Sequence, residues 1–205
     1  MKQSVEAHAA RFDEQAATYD GEKSDEYNAA VSLVVDHAAP DASDTVLDVG
    51  TGTGAIALAL APAADRVIGR DISEGMLAEA RKKADDRGRE NVSFGTGRFR
   101  APDVPDDGDV DIITSNFAMH HLADDEKREA IATLCALAPE RIVLGDVMLF
   151  GTPDPDEPFY SPEVDDPATV GVLADAVTDE GYAVTAVEYV HDQVGVIVAQ
   201  RPEDR

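Results

Sequence analysis

The stretch from Thr45 to Gly54, Thr-Val-Leu-Asp-Val-Gly-Thr-Gly-Thr-Gly, constrains the fold of this chain more than any other. Its first half is a short apolar run with β-branched bias, and three glycines end that run before the helical segment Ala55-Ile-Ala-Leu-Ala-Leu60. The pattern predicts a strand, a tight turn and a helix. A turn without side chains lets a ligand lie against the backbone, and the helix N-terminus behind it offers unpaired N–H groups. We therefore predict a small-molecule site here, with glycines that serve only the turn as the alternative.

Strand-like apolar runs alternate with helical segments along the rest of the chain. Further strands are predicted at 66–72, 91–95, 110–115, 141–148, 183–189 and 193–199, and helices at 4–19, 26–39, 55–60, 74–87, 124–137 and 168–180. The alternation from Thr45 to Glu180 predicts an α/β fold with a mainly parallel sheet. The short link at His191-Asp192 permits only antiparallel pairing of the last two strands, so we expect the sheet to end in an antiparallel hairpin.

With 205 residues and 43% hydrophobic content, the chain is long enough for one well-packed domain and short for two. We expect a single domain over residues 1–205, with N-terminal helices and a lid in residues 1–40 and the α/β core in residues 45–200. The only irregular insertion runs from Gly151 to Pro167 and carries five prolines. A loop of this length predicts a functional lid, with a surface excursion as the alternative.

The chain has 42 acidic and 17 basic residues, a formal charge of −25, spread along its whole length. Regular apolar blocks argue against disorder despite this charge. Asp outnumbers Glu 27 to 15 and Arg outnumbers Lys 12 to 5, which suggests a halophilic source with a high-salt cytoplasm. At a salt concentration of 1 M, screening limits repulsion between charges to a distance of about 3 Å. No basic stripe is present to neutralise phosphates, so we expect no nucleic-acid partner.

No run approaches the roughly 18 consecutive apolar residues of a membrane span, and the first eight residues contain no apolar signal core. We therefore expect a soluble, cytoplasmic protein without a membrane partner. Cys135 is the only cysteine and lies on an apolar helical face. This position predicts a buried structural thiol in place of a nucleophile.

Four segments converge if the strands form a parallel sheet, because ligand sites of open α/β sheets lie beyond the C-terminal strand ends beside the first strand. These segments are the glycine turn, Asp71 after the second strand, the Gly97-Arg-Phe99 loop after the third and Asn116 after the fourth. A carboxylate at the end of the second strand can accept hydrogen bonds from both hydroxyls of a ribose. The ligand is therefore predicted to contain a nucleoside.

The glycine spacing distinguishes among nucleoside ligands. Gly50-x-Gly52-x-Gly54 differs from the dinucleotide fingerprint, whose last two glycines lie further apart, and no Gly-Lys-Ser/Thr is present for a triphosphate. Tyr19 and Lys23 stand four apart, as a dehydrogenase's catalytic pair can, but they precede the nucleotide turn, and we interpret the pair as a coincidence. An NAD-dependent oxidoreductase stays as an alternative.

Three segments together resemble the successive motifs of class I S-adenosylmethionine-dependent methyltransferases. They are Val46-Leu-Asp-Val-Gly-Thr-Gly-Thr-Gly54, Val67-Ile-Gly-Arg-Asp-Ile-Ser-Glu-Gly-Met-Leu77 and Asp111-Ile-Ile-Thr-Ser-Asn-Phe-Ala-Met-His-His-Leu122. Phe12-Asp-Glu-Gln-Ala-Ala-Thr-Tyr-Asp20 resembles the N-terminal segment of the small-molecule branch of that family. The resemblance implies a three-layer Rossmann-like sandwich, whose mostly parallel seven-stranded sheet has an antiparallel last strand. It also implies S-adenosyl-L-methionine as cofactor and a small-molecule methyl acceptor.

The resemblance further implies roles by position. Asp48 and the glycine-turn backbone would face the methionine part of the cofactor, Asp71 the ribose, and Asn116 the floor beside the sulfonium. The implied cofactor residues are Asp48, Gly50, Thr51, Gly52, Gly54, Asp71, Ile72, Met76, Arg98, Phe99 and Asn116, with Ile72 and Met76 at the adenine. Arg98 departs from the family, which usually has an acid there to accept from the adenine amino group, because an arginine offers no acceptor. Phe99 or a backbone carbonyl would replace that acid, or adenine binding is atypical.

Methyl transfer needs mainly alignment of nucleophile, methyl group and leaving sulfur, so a catalytic base is optional. His120 and His121 are candidates for such a base, because the pKa of a histidine lies near neutrality. A structural His-His-Leu turn is the alternative. Tyr19 is a candidate lid residue over the cofactor, with helix packing as the alternative.

No metal site is expected, because the two adjacent histidines have no third ligand at suitable spacing in the sequence. His8, His37 and His191 are scattered, and we interpret them as solvated. The acidic runs 106–109 and 165–166 lack the regular ligand spacing of a calcium loop and are interpreted as solvated surface.

The sequence as a whole predicts an S-adenosylmethionine-dependent methyltransferase with a small-molecule acceptor. The alternative from another class is a non-catalytic module that binds S-adenosylmethionine or another nucleoside, which Arg98 suggests. The acceptor group and the oligomeric state stay open, because fold does not determine substrate identity.

Overall fold

The structure, a computed structural model, describes residues 5–105, 109–152 and 157–202. Its strands are β1 (Thr45–Val49), β2 (Arg66–Asp71), β3 (Val92–Thr96), β4 (Ile112–Asn116), β5 (Arg141–Val147), β6 (Ala183–His191) and β7 (Val194–Gln200). Its helices are α1 (Val5–Gln15), α2 (Asp25–Ala38), α3 (Ala55–Leu60), α4 (Glu74–Asp86), α5 (Asp124–Cys135) and α6 (Val170–Asp179). Short 3₁₀ turns lie at Ala16–Thr18 and Met119–His121.

The strands form one seven-stranded sheet in the order β3-β2-β1-β4-β5-β7-β6. All neighbours from β3 to β5 run parallel, and β7 is antiparallel to both β5 and β6. The predicted α/β class, the mostly parallel sheet and the antiparallel last strand are confirmed. The strand order reverses between β1 and β4, which is where ligands bind in open α/β sheets.

Helices cover both faces of the sheet because successive strand residues point to opposite sides. On one face, Val46, Val67 and Ile112 pack with α2 and α3. On the other face, Leu47, Ile68 and Ile113 pack with α5 and α6. The resulting helix–sheet–helix arrangement is the predicted three-layer sandwich. Strands covered on both sides are buried along their length, and β5 is buried from Ile142 to Val147.

Local signals explain where several helices begin. Ser73 is the N-cap of α4, because its Oγ accepts a hydrogen bond from the Met76 N–H at 3.1 Å. The Glu126 side chain accepts from the Ala123 N–H at 3.0 Å, in the acidic first turn of α5. The predicted N-terminal helix is shorter than expected: α1 ends at Gln15 and a 3₁₀ turn follows.

Two further predictions concern burial and loops. Cys135 is buried, as predicted, and burial raises the pKa of its thiol to about 12. In the ranges that the structure describes, no helix is long and apolar enough to cross a membrane. Residues 106–108 of the first acidic run and 153–156 of the proline-containing insertion lie outside the described residues.

Candidate functional site

The glycine turn lies between β1 and α3 at the C-terminal edge of the sheet. Gly50, Gly52 and Gly54 all have positive φ angles, of 72°, 53° and 85°, a conformation that glycine adopts without steric cost. A Cβ on Gly50 would lie 2.4 Å from the Ala118 Cβ, so only glycine fits there. At Gly52 the same position is open space. The turn thus presents bare backbone to whatever binds above it.

A cavity of about 360 Å³ opens over this turn. Ten of the eleven predicted cofactor residues line it: Asp48, Gly50, Thr51, Gly52, Asp71, Ile72, Met76, Arg98, Phe99 and Asn116. Gly54 does not line the cavity. It is the N-cap of α3, and a Cβ at its position would lie 3.1 Å from the Phe94 ring and 3.3 Å from the Ala80 Cβ. Glycine is therefore required here by turn geometry and packing, and a cofactor contact at Gly54 stays a prediction.

Asp71 joins the glycine turn to the start of α4. One of its carboxylate oxygens accepts from the Gly52 N–H at 2.8 Å, and the other accepts from the Ser73 N–H at 2.9 Å. Burial raises the pKa of this carboxyl, although these backbone hydrogen bonds oppose the rise. The Ile72 backbone N–H is a third donor to this carboxylate. Two carboxylate oxygens offer about four acceptor positions, so Asp71 can still accept a hydrogen bond from the cavity.

Asp48 is almost completely buried beneath the turn. Its carboxylate accepts hydrogen bonds from the hydroxyls of Thr51, at 2.6 Å, and Thr114, at 2.8 Å. Burial raises the pKa of Asp48 to about 6, because the desolvation of its charged form outweighs these two bonds. The residue therefore has a fixed orientation and a charge that depends on pH in the acidic range.

Asn116 contributes an unsatisfied amide to the cavity wall. Both its Nδ2 and its Oδ1 are buried and have no hydrogen-bond partner in the described part of the chain. Gly145 makes room for this side chain, since a Cβ there would lie 2.4 Å from Asn116 Oδ1. Buried polar groups are normally paired, so this amide indicates a ligand that donates and accepts.

Two aspartates hold the N-terminal segment over the cavity through hydrogen bonds and an ion pair. Asp13 Oδ1 accepts from the Ser73 hydroxyl at 2.6 Å and from the Gly75 N–H at 2.8 Å. Asp20 accepts from the Thr53 hydroxyl at 2.6 Å and pairs with Lys83 at 2.5 Å. Tyr19 lies between Asp13 and Asp20 in the sequence and lines the cavity. Burial raises the pKa of the Tyr19 phenol, so it stays protonated at neutral pH.

His120 forms a buried pair with Asp146, whose Oδ1 lies 2.5 Å from His120 Nδ1. The other Asp146 oxygen accepts from the backbone N–H groups of Met119 and His120. Burial disfavours the imidazolium, but the attraction of Asp146 and Asp165 outweighs it and raises the pKa of His120. Because Nδ1 is engaged, Nε2 is the nitrogen left to accept a proton.

His121 pairs with Asp165, with 2.7 Å between Nδ1 and Oδ1. Burial lowers the pKa of His121 although Asp165 opposes the shift. The prediction that residues 165–166 are solvated surface is wrong: the Asp165 side chain is 6% exposed, and the Asp166 N–H donates to the His120 carbonyl. The nearly buried Lys127 donates to the Asp166 carbonyl, which ties this loop to α5.

The interpretation of the remaining histidines as solvated needs correction. His8 is buried, because α1 packs its ring 5.1 Å from that of His121, and burial lowers the pKa of His8. His37 is half-buried, and its Nε2 lies 2.9 Å from Glu188 Oε1. His191 is partly exposed and pairs with its neighbour Asp192.

The expectation that the two adjacent histidines lack a third ligand is also wrong. His120, His121 and Asp165 offer ligand atoms that lie within 4.8 Å of one another, because the loop after β5 folds back over the 3₁₀ turn. Sequence spacing could not show this, since Asp165 is 44 residues from His121. In the described ranges, this group is where a metal ion could be bound.

A second cleft, of about 620 Å³, adjoins the first cavity. The two share Phe12, Tyr19, Tyr27, Phe117 and His121. His120 and Asp165 line only the second cleft, together with residues 158–161 of the insertion. The arrangement thus offers a pocket over the glycine turn and an adjoining cleft, and His121, which pairs with Asp165, lies in the lining that they share.

Comparison with known proteins identifies the family. Residues 46–139 match the family described as "Methyltransferase domain". The chain is 30% identical over 192 residues to the uncharacterized methyltransferase RBAM_024380 of Bacillus velezensis, a match that covers 84% of this chain and 88% of that protein. The chain belongs to the class I S-adenosylmethionine-dependent methyltransferases.

Other relatives support the same assignment over shorter lengths. The methyltransferase is 33% identical over 119 residues to the aklanonic acid methyltransferase DauC of Streptomyces sp. (strain C5), covering 55% of this chain and 52% of that protein. Among the first relatives, the match spans 88% of one and 46% to 61% of three others. A solved S-adenosylmethionine-dependent methyltransferase from Aquifex aeolicus superposes with a TM-score of 0.71, at 21% identity over 93% of this chain and 98% of that chain, which shows a shared fold.

Sequence reasoning missed several residues of this methyltransferase site. Asp146 is the clearest case, and a signal for it existed: an acid inside a strand that is buried on both faces needs a partner. Tyr27 lines the cavity without having been singled out, and His8 lines it although the sequence was interpreted as placing it in solvent. The N-terminal helical region has aromatic residues at intervals of seven and eight, at Phe12, Tyr19 and Tyr27. This spacing could have indicated that the three rings lie on one side of that region.

Proposed function

We propose that this methyltransferase transfers a methyl group from S-adenosylmethionine to a small-molecule acceptor. The observation that supports this most is the convergence of bare glycine backbone, a buried ribose-type carboxylate and an unpaired buried amide in one cavity at the sheet's switch point. When bound, S-adenosylmethionine supplies an activated methyl group on its sulfonium. We further propose that residues 1–205 act as one domain, located in the cytoplasm.

The described residues fit this cofactor along its length. Asp71 would accept from the ribose hydroxyls with its free lone pairs, and the Gly52 backbone and Asn116 would face the methionine part and the sulfonium. Ile72 and Met76 would flank the adenine. Asp48 is covered by the two threonine hydroxyls that it binds, so its contribution would be to hold Thr51 and to supply negative charge near a cationic group.

The adenine end differs from the expected pattern. Arg98 is exposed at the cavity rim, and its backbone N–H and carbonyl are paired with Ala101. Phe99 lines the cavity beside it. We therefore assign the adenine contact to the Phe99 ring together with Ile72 and Met76, in place of a side-chain acceptor for the amino group.

His120 is the proposed general base. Asp146 orients its ring through Nδ1 and stabilises the imidazolium that forms, as a carboxylate does in a serine protease triad. His121 has a lowered pKa and pairs with Asp165, so we assign it to the wall between the two cavities. Tyr19, with its raised pKa, is proposed as a lid residue held over the cofactor by Asp13 and Asp20.

Residues of α1, of the 3₁₀ turn at Met119–His121 and of the loop after β5 line the adjoining cleft, and its volume of about 620 Å³ suits a small molecule. The relative DauC, an aklanonic acid methyltransferase, is consistent with a small acceptor in this family. With a formal charge of −25, a nucleic-acid acceptor is disfavoured by repulsion.

Calorimetric titration of the purified protein with S-adenosylmethionine, S-adenosylhomocysteine and NAD tests the proposal. We expect both sulfur nucleosides to bind with one site per chain and NAD to give no heat of binding. Binding of NAD alone would contradict the proposal and favour an oxidoreductase. Absence of binding by all three would favour an interaction module.

A further inference from the structure

The cleft beside His120 is unusually aromatic for this protein. The chain has six phenylalanines and five tyrosines. Six of these eleven line the cleft: Phe12, Tyr19, Tyr27, Phe117, Phe159 and Tyr160. In a chain with 5% aromatic residues, this concentration in one cleft indicates an apolar, π-rich ligand surface.

The rings form two connected groups in the lining of the cleft. Phe117 contacts Tyr27, Phe159 and the His120 ring, with centroid distances of 5.1, 6.2 and 6.3 Å. Phe12 contacts Tyr19 at 6.5 Å and His121 at 5.4 Å. These distances are those of tilted and edge-to-face pairs, so the rings of this lining do not stack face to face on one another. The ring of the proposed base, His120, contacts Phe117 within this lining.

Two cations line the same cleft although acids outnumber bases 42 to 17 in the chain. Lys23 Nζ lies 3.4 Å from the Tyr19 ring centroid and 5.0 Å from that of Tyr27. Arg11 lies over Phe12. Neither has an ion pair within 4 Å in the ranges 5–105, 109–152 and 157–202. Two acids line the cleft: Asp165 is paired with His121, and Glu22 is exposed to solvent.

We propose that the acceptor is a planar aromatic compound with a hydroxyl group at His120 and an acidic group at Lys23. This inference rests on the proposed methyl transfer. Lys23 is then a specificity-determining residue that binds the acidic group of the acceptor. The Tyr19–Lys23 pair, which was interpreted from the sequence as a coincidence, is part of the acceptor site. Lys23 lines the second cleft and does not line the cofactor cavity.

The reaction balances with groups present in the site. His120 Nε2 takes the hydroxyl proton while the acceptor oxygen forms its bond to the methyl carbon. The carbon–sulfur bond breaks, and its electron pair stays on the sulfur. The products are an aryl methyl ether, the neutral thioether and a protonated His120 beside Asp146, which releases its proton to solvent when the products leave. A phenolic hydroxyl suits this base, since its ordinary pKa is near that of tyrosine, about 10.

Binding of three probes to the protein saturated with S-adenosylhomocysteine tests the inference. They are 4-hydroxybenzoate, phenol, which lacks the acid, and 4-hydroxycyclohexanecarboxylate, which lacks the aromatic plane. We expect 4-hydroxybenzoate to bind at least about tenfold more tightly than either control, because each control loses a charge-assisted contact or ring stacking. Equal affinity for all three would overturn the inference.

The variant Lys23→Gln separates the role of the cation from folding. We expect it to weaken 4-hydroxybenzoate binding about tenfold, to leave phenol binding unchanged and to keep wild-type affinity for S-adenosylhomocysteine. Lys82→Gln, on the exposed side of α4, is the matched control and should change none of these. An unchanged 4-hydroxybenzoate affinity in Lys23→Gln would overturn the assignment of Lys23. Failure of S-adenosylhomocysteine to bind the wild type would instead contradict the proposed function itself.

Discussion

At the scale of single residues, His120 and His121 each pair with a carboxylate, Asp146 and Asp165, but the net shifts of their pKa values have opposite directions. The carboxylates outweigh burial and raise the pKa of His120, whereas burial outweighs Asp165 and lowers the pKa of His121. A base must be neutral to accept a proton, so the reaction rate should rise with pH through the pKa of His120. The stabilising contribution of the His120 pair is fully present below the unfolded pKa of about 6.5 and is lost as pH rises through the folded value.

The two histidines can be distinguished by an NMR titration of the imidazole resonances. We expect His120 to titrate above 6.5 and His121 below it. In Asp146→Asn the pKa of His120 should fall by about one unit or more, because the carboxylate charge is removed while the side-chain shape is kept. The reverse order of the two pKa values would contradict the assignment of the base.

We expect Asp48 to make cofactor affinity depend on pH. With a pKa of about 6, Asp48 is mostly protonated below that pH and mostly ionised above it. A cationic cofactor is attracted to the ionised form, so we expect affinity for S-adenosylmethionine to rise several-fold from about pH 5 to pH 7. Calorimetry at a series of pH values measures this rise. The Asp48→Asn variant should show a flatter dependence, and an identical dependence in both proteins would disprove the role.

At the scale of elements, α1 and the 3₁₀ turn that follows it are held over the cofactor cavity by polar contacts through Asp13 and Asp20. In the double variant Asp13→Ala/Asp20→Ala, we expect faster amide hydrogen exchange in residues 5–24 and several-fold weaker binding of S-adenosylhomocysteine. The sheet should keep its protection, because its contacts are elsewhere. Glu14→Ala, an exposed neighbour without these contacts, is the control. Unchanged exchange in residues 5–24 would contradict a fastened lid.

The elements that the sequence could predict are those with local signals. The apolar period, the glycine turn and the Ser73 cap each act within a few residues, and β1, α3 and the start of α4 lie where they were expected. Their positions also bring Asp71 and Asn116 to one cavity, because parallel strands end at the same edge of a sheet. Ten predicted cofactor positions lie there for that reason, although their roles stay predictions.

The contacts that the sequence could not predict depend on loops folding back from a distance. Asp165 reaches His121 through the irregular insertion, and His8 is buried by the docking of α1 onto the same histidine. No periodicity fixes either contact. Both surfaces were therefore interpreted as solvated, which is the usual state of isolated acids and histidines in polar segments.

At the scale of the whole molecule, the formal charge of −25 destabilises the compact state through self-repulsion. We propose that this charge is an adaptation to high salt, and we expect the melting temperature near pH 7 to rise by several degrees between about 0.1 and 2 M KCl. Near pH 4.5, close to the sequence pI of about 4.2, the net charge is small and the salt effect should shrink. A melting temperature independent of molar salt at pH 7 would contradict this proposal.

The fold alone does not determine the reaction, since the same architecture is compatible with many activities. The proposal of methyl transfer depends on the chemistry of the cavity over the glycine turn and on the family to which the chain belongs. Within that cavity, Asp71 is the side chain that connects the turn, the start of α4 and the proposed ribose position.

The affinity of the Asp71→Ala variant for S-adenosylhomocysteine, measured by calorimetry beside the wild type, tests this assignment most directly. Asp86→Ala, an exposed substitution at the end of α4, is the matched control. Loss of charge-assisted hydrogen bonds costs roughly 1.5 to 3 kcal/mol, so we predict affinity at least about tenfold weaker in Asp71→Ala and unchanged in Asp86→Ala. An Asp71→Ala affinity within about twofold of the wild type would show that this carboxylate does not bind the cofactor ribose.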